Sequence, residues 1–205
     1  PVALNTAFMT DGAVLTIGDG VTLDRPVHLL YLAAPDDRTT AIHTRNLIVA
    51  GAGAVATVIE SYAATNSGAY WTNAVTDVIA DADASLRHIK LQGEGAEAFH
   101  LAATRARLAR GAAYDSFVLQ TGARLARNEI AATLGGSNID CRLSGAYLGR
   151  GKQHLDNTTL VDHAEPDSYS NEHYKGVLDG NAHGVFQGKI VVRPDAQKTD
   201  AHQLN

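Results

Sequence analysis

The chain of 205 residues has a formal net charge of −5, with 45% hydrophobic residues, 19% charged residues and one cysteine. This composition predicts a single globular domain with an apolar core and excludes a disordered chain. Because the sequence has no concentrated basic stripe and no apolar run near the ~20 residues of a membrane-spanning helix, we expect neither nucleic acid nor membrane as a partner. The lone Cys141 cannot form an intrachain disulfide and fits a reducing, cytoplasmic location.

Segments in which apolar and polar residues alternate predict β-strands with one buried face. The first clear segment, "AVATVIESY", places Val55, Thr57 and Ile59 on one face. A later stretch at 98–113 is ambiguous, because its alanine, leucine and arginine content favours a helix, whereas its alternation also suits a strand. The sequence alone leaves that choice open.

The segment "NIDCRLSG" shows the same alternation most clearly. Its apolar positions are Ile139, Cys141 and Leu143, which predicts a strand with these three side chains on the buried face. We therefore expect Cys141 to be a buried, inert thiol. One cysteine cannot hold an iron–sulfur cluster by itself, although it could contribute one ligand at an interface.

Clusters of small residues recur ahead of short alternating runs. They are "GAGA" at 51–54, "DADA" at 81–84, "RGAA" at 110–113 and "GGSN" at 135–138, with starts 30, 29 and 25 residues apart. A loose period of this length is typical of a solenoid, in which each repeat forms one coil. A sandwich of short strands would give similar turn signals, so the period leaves both architectures possible.

The stretch "YKGVLDGNAHGVFQGKIVV" at 174–192 predicts a strand, a turn at 179–181 and a second strand. Gly188 falls on the apolar face of the second strand, between Phe186 and Ile190. We expect this glycine to make room for a large neighbour, such as Phe186 or a residue on the adjacent coil. A simple β-bulge is the alternative.

Histidine is the enriched reactive residue, and five of nine lie between 154 and 202. The segment "HLDNTTLVDHAEPDS" could supply nitrogen and oxygen ligands to a transition metal, which makes His154, Asp156 and His163 weak metal candidates. Because His154 and His163 are nine residues apart, they face opposite sides of one strand, and their spacing matches no zinc motif. Solvated histidines are the favoured interpretation.

Motifs for catalysis are missing from the sequence. It contains no phosphate-binding loop, no dinucleotide fingerprint and no nucleophile elbow. The carboxylate pairs Asp36 with Asp37 and Asp81 with Asp83 lie in turn-like contexts, so we interpret them as solvated turn residues. We therefore predict no catalytic residue.

Over nearly its whole length, and most specifically in its C-terminal third, the chain resembles the SufB/SufD family of iron–sulfur cluster assembly proteins. The resemblance lies in "HLDNTTLVDHAEPDSYS" and "YKGVLDGNAHGVFQGKIVVRPDAQKTDAHQLN". They match the family's histidine-x-aspartate pair at His154 and Asp156, its histidine-x-x-proline step beginning at His163, and its Y-K-G-V turn at 174–177. The opening "VALNTAFMTDGAVLTIGDGVTLDRPVHLLY" is similar to the SufD side of the family.

The resemblance implies an all-β fold, a right-handed parallel β-helix or β-solenoid, with residues 1–205 forming a single core domain. The family's flanking N- and C-terminal helical domains, and its interface segment with cysteine and histidine, are expected to lie outside this chain. The resemblance further implies a non-catalytic scaffold subunit that pairs with a SufB-like subunit and a SufC-like ATPase and assists iron entry. No cofactor is expected on this chain itself, while iron or an iron–sulfur cluster would be held transiently by the full complex.

Two other functions stay open from the sequence. A β-helix can host a carbohydrate-active enzyme such as a polysaccharide lyase, although Trp71 is the single tryptophan available for a sugar groove. A histidine-rich metal-binding module at 154–183 is the second alternative. Because the ends of a solenoid present unpaired strand edges, a homodimer is also possible.

Overall fold

The computed structural model describes residues 2–34, 40–66 and 68–205, so Asp36 and Asp37 lie outside the described residues. The short segments in which apolar and polar residues alternate form β-strands, and turns separate them, so the regular structure of the chain is almost entirely β. The elements are α1 Val2–Phe8, β1 Asp11–Ile17, β2 Val27–Ala33, β3 Thr40–Ala50, β4 Val55–Ala64, β5 Tyr70–Ala80, β6 Ser85–Gln92, β7 Phe99–Leu108, β8 Ala113–Gln120, β9 Leu125–Leu134, β10 Asp140–Gly149, β11 His154–His163, β12 Tyr169–Leu178, β13 His183–Val192 and β14 Asp200–Leu204. The one helix among the described residues is too short to cross a membrane.

The strands form two parallel sheets of seven strands each. Sheet A contains the odd-numbered strands and sheet B the even-numbered strands, each in chain order. One odd strand and the even strand that follows it therefore make one coil, and successive coils stack through parallel strand pairing. The parallel β-helix is thus confirmed, and the ambiguous stretch at 98–113 contains strand β7 rather than a helix.

The predicted small-residue clusters form a column of turns where the chain passes from sheet A to sheet B. Each turn donates a backbone hydrogen bond to the next, as from Gly53 N to Ala82 O at 2.8 Å and from Asp83 N to Arg110 O at 2.9 Å. One residue of each turn adopts a left-handed backbone, with φ of 66° at Gly53, 59° at Asp83, 70° at Gly111 and 58° at Asn138. This conformation favours glycine, asparagine and aspartate, which explains the composition of the clusters.

The buried faces of the strands agree with the prediction in one segment and differ in another. In β10, Cys141 and Leu143 are fully buried, as predicted. In β4, Val55 does share a face with Thr57 and Ile59, but this face points outward and Val55 is 42% exposed. Ala54, in the preceding turn, determines which face of β4 is buried, because it is itself fully buried. Side chains alternate along a strand, so every second residue after Ala54 also points into the interior.

Gly188 does make room for a residue on the adjacent coil, as predicted, although not for Phe186. It pairs with Thr159 in an uninterrupted register between β11 and β13, so it is not a bulge. A Cβ atom at Gly188 would crowd the side chains of Gln203 and Glu172, which are polar groups of sheet B and not Phe186. The Y-K-G-V segment at 174–177 is likewise part of strand β12 and not a turn. The predicted turn at 179–181 does separate β12 from β13.

Candidate functional site inside the solenoid

A row of polar and ionisable side chains lies inside the solenoid. In β6, His88, Lys90 and Gln92 are buried, while Ile89 and Leu91 face outward and are half-buried. Hydrophobicity alone would place these residues the other way round. As in β4, the buried turn residue before the strand fixes the phase, and strict alternation then directs polar residues inward.

Glu60 is the centre of the first cluster and is fully buried. Its Oε1 accepts a hydrogen bond of 2.8 Å from Thr76 and lies 3.0 Å from His88 Nε2, and its Oε2 accepts one of 3.0 Å from the Tyr62 hydroxyl. Burial opposes ionisation, but the charge and hydrogen bond of His88, with help from Lys90 and Thr76, lower the pKa of Glu60 to about 2. The carboxylate is therefore held ionised by its partners.

Glu94 forms a second cluster of the same type on the next coil. Its Oε2 lies 2.6 Å from His100 Nδ1 and accepts a hydrogen bond of 3.0 Å from Gln92, while Thr72 donates one of 2.6 Å to Oε1. Burial again opposes ionisation, but His100, Thr72 and Gln92 lower the pKa of Glu94 to about 2. Two buried carboxylates are thus each matched by a histidine on the following coil.

Lys90 lies between these two clusters. Burial lowers the pKa of its ammonium group, and the negative charges of Glu60 and Glu94 oppose that effect. Its Nζ lies 5.0 Å from the centroid of the Tyr62 ring, in the range of a cation–π contact. Lys90 therefore provides a positive charge close to both buried carboxylates, and buried ionic groups need such partners in a folded interior.

The polar row opens to the surface at the N-terminal end of the solenoid. A cavity of about 520 Å³ is lined there by Tyr31, Tyr62, Thr72 and Glu94, among others. The Tyr31 and Tyr62 rings stack with centroids 5.0 Å apart. Glu94 therefore lies at the wall of this cavity.

Toward the C-terminal end the interior is also polar, and here, as nearer the N-terminus, some buried polar atoms have no hydrogen-bond partner. Among the described residues, the side-chain amide of Asn128, the Oε1 of Glu172 and the hydroxyl of Tyr174 have no hydrogen-bond partner within the protein. Burial raises the pKa of Glu172, which is opposed by a hydrogen bond of 3.0 Å that Thr159 donates to its Oε2. Glu172 therefore differs from Glu60 and Glu94, because no cation among the described residues offsets the effect of burial on its pKa.

Replacement of Glu172 by glutamine is expected to stabilise the chain above about pH 5. Folding favours the protonated form of a carboxyl group whose pKa is higher in the folded than in the unfolded chain. Its contribution to stability is therefore fully present below the pKa of the unfolded chain and is lost as the pH rises through the pKa of the folded chain. Glutamine has the same shape and does not ionise. Urea unfolding of both proteins at several pH values between 4 and 8 should show curves that agree near pH 4 and diverge as the pH rises. A constant difference across this range would contradict the assignment.

The three predicted metal candidates do not come together. His154 and His163 lie at opposite ends of β11, about 30 Å apart at the usual rise per residue. Asp156 is paired with Arg127, whose Nη1 lies 2.9 Å from Oδ2. His163 is fully buried and lies 2.9 Å from the Ser170 hydroxyl, and burial lowers its pKa against the opposing charge of Asp162.

Within the described residues, no group of three or more histidine, cysteine, aspartate or glutamate side chains is arranged to hold a metal ion. Cys141 is fully buried, and burial raises the pKa of its thiol. Sequence reasoning missed Glu60, because Ile59 was expected on the buried face, and it made no prediction for His88, Glu94 and His100. The available signal was the small buried residue that ends each turn.

The fold is a parallel β-solenoid, and the ionisable side chains in its interior largely form hydrogen bonds or ion pairs with one another. The family model described as "SUF system FeS cluster assembly, SufBD core domain" matches residues 32–205. The chain therefore belongs to the SufBD family.

Named relatives agree with this membership. The chain is 30% identical over 210 residues to an iron–sulfur cluster assembly SufBD family protein of Synechocystis sp., covering 98% of this chain and 46% of the relative. It is 28% identical over 179 residues to the iron–sulfur cluster assembly protein SufD of Escherichia coli, covering 87% and 42%. A chloroplastic protein of Arabidopsis thaliana is 26% identical over 211 residues, covering 98% and 44%. The chain spans less than half the length of each of these relatives.

Proposed function

We propose that this chain is the solenoid core of a scaffold subunit in iron–sulfur cluster assembly. It would pair with a SufB-like subunit and a SufC-like ATPase, and would assist the entry of iron as cargo rather than catalyse a reaction itself. The observation that carries the proposal is the match of the SufBD core-domain model to residues 32–205, together with the name of the Escherichia coli relative.

The interior chemistry supports a structural role for this core. The carboxylates of Glu60 and Glu94 lie 3.0 and 2.6 Å from ring nitrogens of His88 and His100, and close partners of this kind are how buried charges are accommodated in a stable fold. The polysaccharide-lyase alternative is not favoured, because the family to which the chain belongs is one of cluster assembly. A cytoplasmic location stays a prediction.

Isolation of the protein from its own cells with its bound partners tests the proposal. A tag added to the chromosomal copy, followed by affinity purification and mass spectrometry, should recover a SufB-like chain and a SufC-like ATPase. The matched control is the same tag on a protein of similar abundance outside this family. As a positive control, a tagged SufC-like protein should recover its own partners under the same conditions. If that control succeeds and the tagged chain recovers neither partner, the proposed assembly is rejected.

Self-association is a separate proposal, because the strand edges at the ends of a solenoid can pair with a second copy. Light scattering on the purified chain should then give the mass of a dimer. A monomer mass at all concentrations tested would remove the homodimer from consideration.

A further inference from the structure

His154 and His183 lie side by side on the outer face of sheet A. They are directly paired in the parallel register of β11 and β13. Their ring centroids are 5.1 Å apart and the ring planes differ by 18°. His183 is exposed and His154 is half-buried, so the pair is reachable from solvent. The two residues are 29 positions apart in the sequence, and only the stacking of coils brings them together.

The separation of the rings suits two ligands of one metal ion. Imidazole nitrogens bind a tetrahedral ion at about 2.1 Å, which places the two ring centroids roughly 5 Å apart. Neighbouring strands are about 4.8 Å apart, so the sheet itself sets this spacing and the main chain need not move. A shared ion would require rotation about the side-chain torsions, because the rings are stacked and their nitrogens do not yet converge on one point.

Nearby groups leave the other coordination positions open. The carboxylates on the same face of β11 are Asp156 and Asp162. Arg127 binds Asp156 Oδ2 at 2.9 Å and Thr158 donates a hydrogen bond of 3.3 Å to Asp156 Oδ1, while Arg193 pairs with Asp162 at 2.6 Å. An ion at the histidine pair would therefore keep water on its remaining positions. Two protein ligands with open positions make a site that exchanges its ion readily, in contrast to a closed structural site.

We propose that His154 and His183 bind one divalent transition-metal ion on the outer face of sheet A. Imidazole ligands select zinc, copper, iron and nickel over magnesium and calcium. Within the described residues, the other histidine side chains with recorded contacts pair with different groups, as His88 and His100 do with glutamates. The inference needs no partner protein, so it stands or falls independently of the proposed assembly role.

Metal titration of the protein as its cells produce it tests the proposal. After treatment with a chelator and buffer exchange, isothermal titration with Zn²⁺ is compared between the natural protein, H154Q, H183Q and the double variant. The natural protein should bind one equivalent of Zn²⁺. We expect the affinity for this ion to fall about tenfold or more in each single variant. We expect the double variant to be little worse than either single one, since loss of one ligand already opens the shared site.

The control variant is H202Q, because His202 is an exposed histidine of β14 that lies 2.9 Å from Asp200 and belongs to the other sheet. Its Zn²⁺ binding should equal that of the natural protein, and thermal unfolding should confirm that all variants fold. Equal Zn²⁺ binding by the natural protein and the double variant would overturn the proposal. Additive losses in the double variant would also overturn it, because they would mean two independent sites.

Discussion

Replacement of Glu60 by alanine is expected to destabilise the folded chain by about 3–5 kcal/mol. Glu60 is fully buried, and the alanine variant would leave the donors of Tyr62, Thr76 and His88 without their acceptor. It would also remove a carboxylate that compensates the buried Lys90. Few single substitutions on a chain of this size should have a larger effect, because several buried polar groups lose their partner at once.

Urea unfolding of the purified chain, followed by circular dichroism, measures this loss. The matched control is E97A, because the Glu97 side chain is 60% exposed and lies 4.0 Å from Arg124, and such a surface pair contributes at most about 1 kcal/mol. E60Q should fall between the two, since glutamine keeps the shape but not the charge. A loss below about 1 kcal/mol in E60A would mean that the interior tolerates unpaired charge, and the account of the polar row would be wrong.

Alanine at Gly145 or at Gly176 is expected to cost roughly 1–3 kcal/mol by overpacking. The two glycines and two tyrosines form a reciprocal pair on neighbouring strands, with Gly145 opposite Tyr174 and Tyr147 opposite Gly176. A Cβ atom at Gly145 would lie 2.6 Å from Tyr174 Cδ1, and one at Gly176 would overlap the Tyr147 ring. Tyr174 has no room to retreat, because it is fully buried and stacks on Phe186 with centroids 4.7 Å apart.

Thermal and urea unfolding of G145A and G176A measure this cost, with G93A as the control. A Cβ atom at Gly93 would meet nothing closer than 3.8 Å, so G93A should be neutral or slightly stabilising. In the double variant G145A with Y174L, the smaller side chain should recover part of the loss, and the two substitutions should therefore be non-additive. Unchanged stability in both glycine variants would mean that the rings move aside at little cost.

Local alternation predicted the strands and the turn clusters, but it did not reliably predict which face is buried. In β10 the inward residues are apolar, and the prediction for Cys141 and Leu143 was correct. In β4 and β6 the inward residues include Glu60 and His88, and hydrophobicity pointed to the wrong face. The physical reason is that polar groups inside the solenoid are stabilised by partners on the next coil, and a single strand does not reveal those partners.

The candidate sites depend on register, which the sequence does not specify. Paired strands are offset by 26 residues between Phe99 and Leu125, and by 33 residues between Asp11 and Thr44. Because the length of a coil varies over this range, the sequence could not pair His154 with His183 or Glu60 with His88. The metal role of the histidine-rich segment stays a prediction, and the contacts of its members follow from stacking and not from their spacing along one strand.

The pairing of charges across coils limits how this fold can be recombined. Glu60 finds its histidine on the following coil, and Glu94 does the same. In a chimaera of two relatives, the breakpoint can fall between such a carboxylate and its histidine. The chimaera then contains the buried carboxylate from one parent, but the other parent supplies no imidazole at the position that should pair with it. The smallest segment that can be exchanged intact is therefore two adjacent coils. Chimaeras made by exchanging single coils should fail to fold where the breakpoint separates a buried glutamate from its histidine.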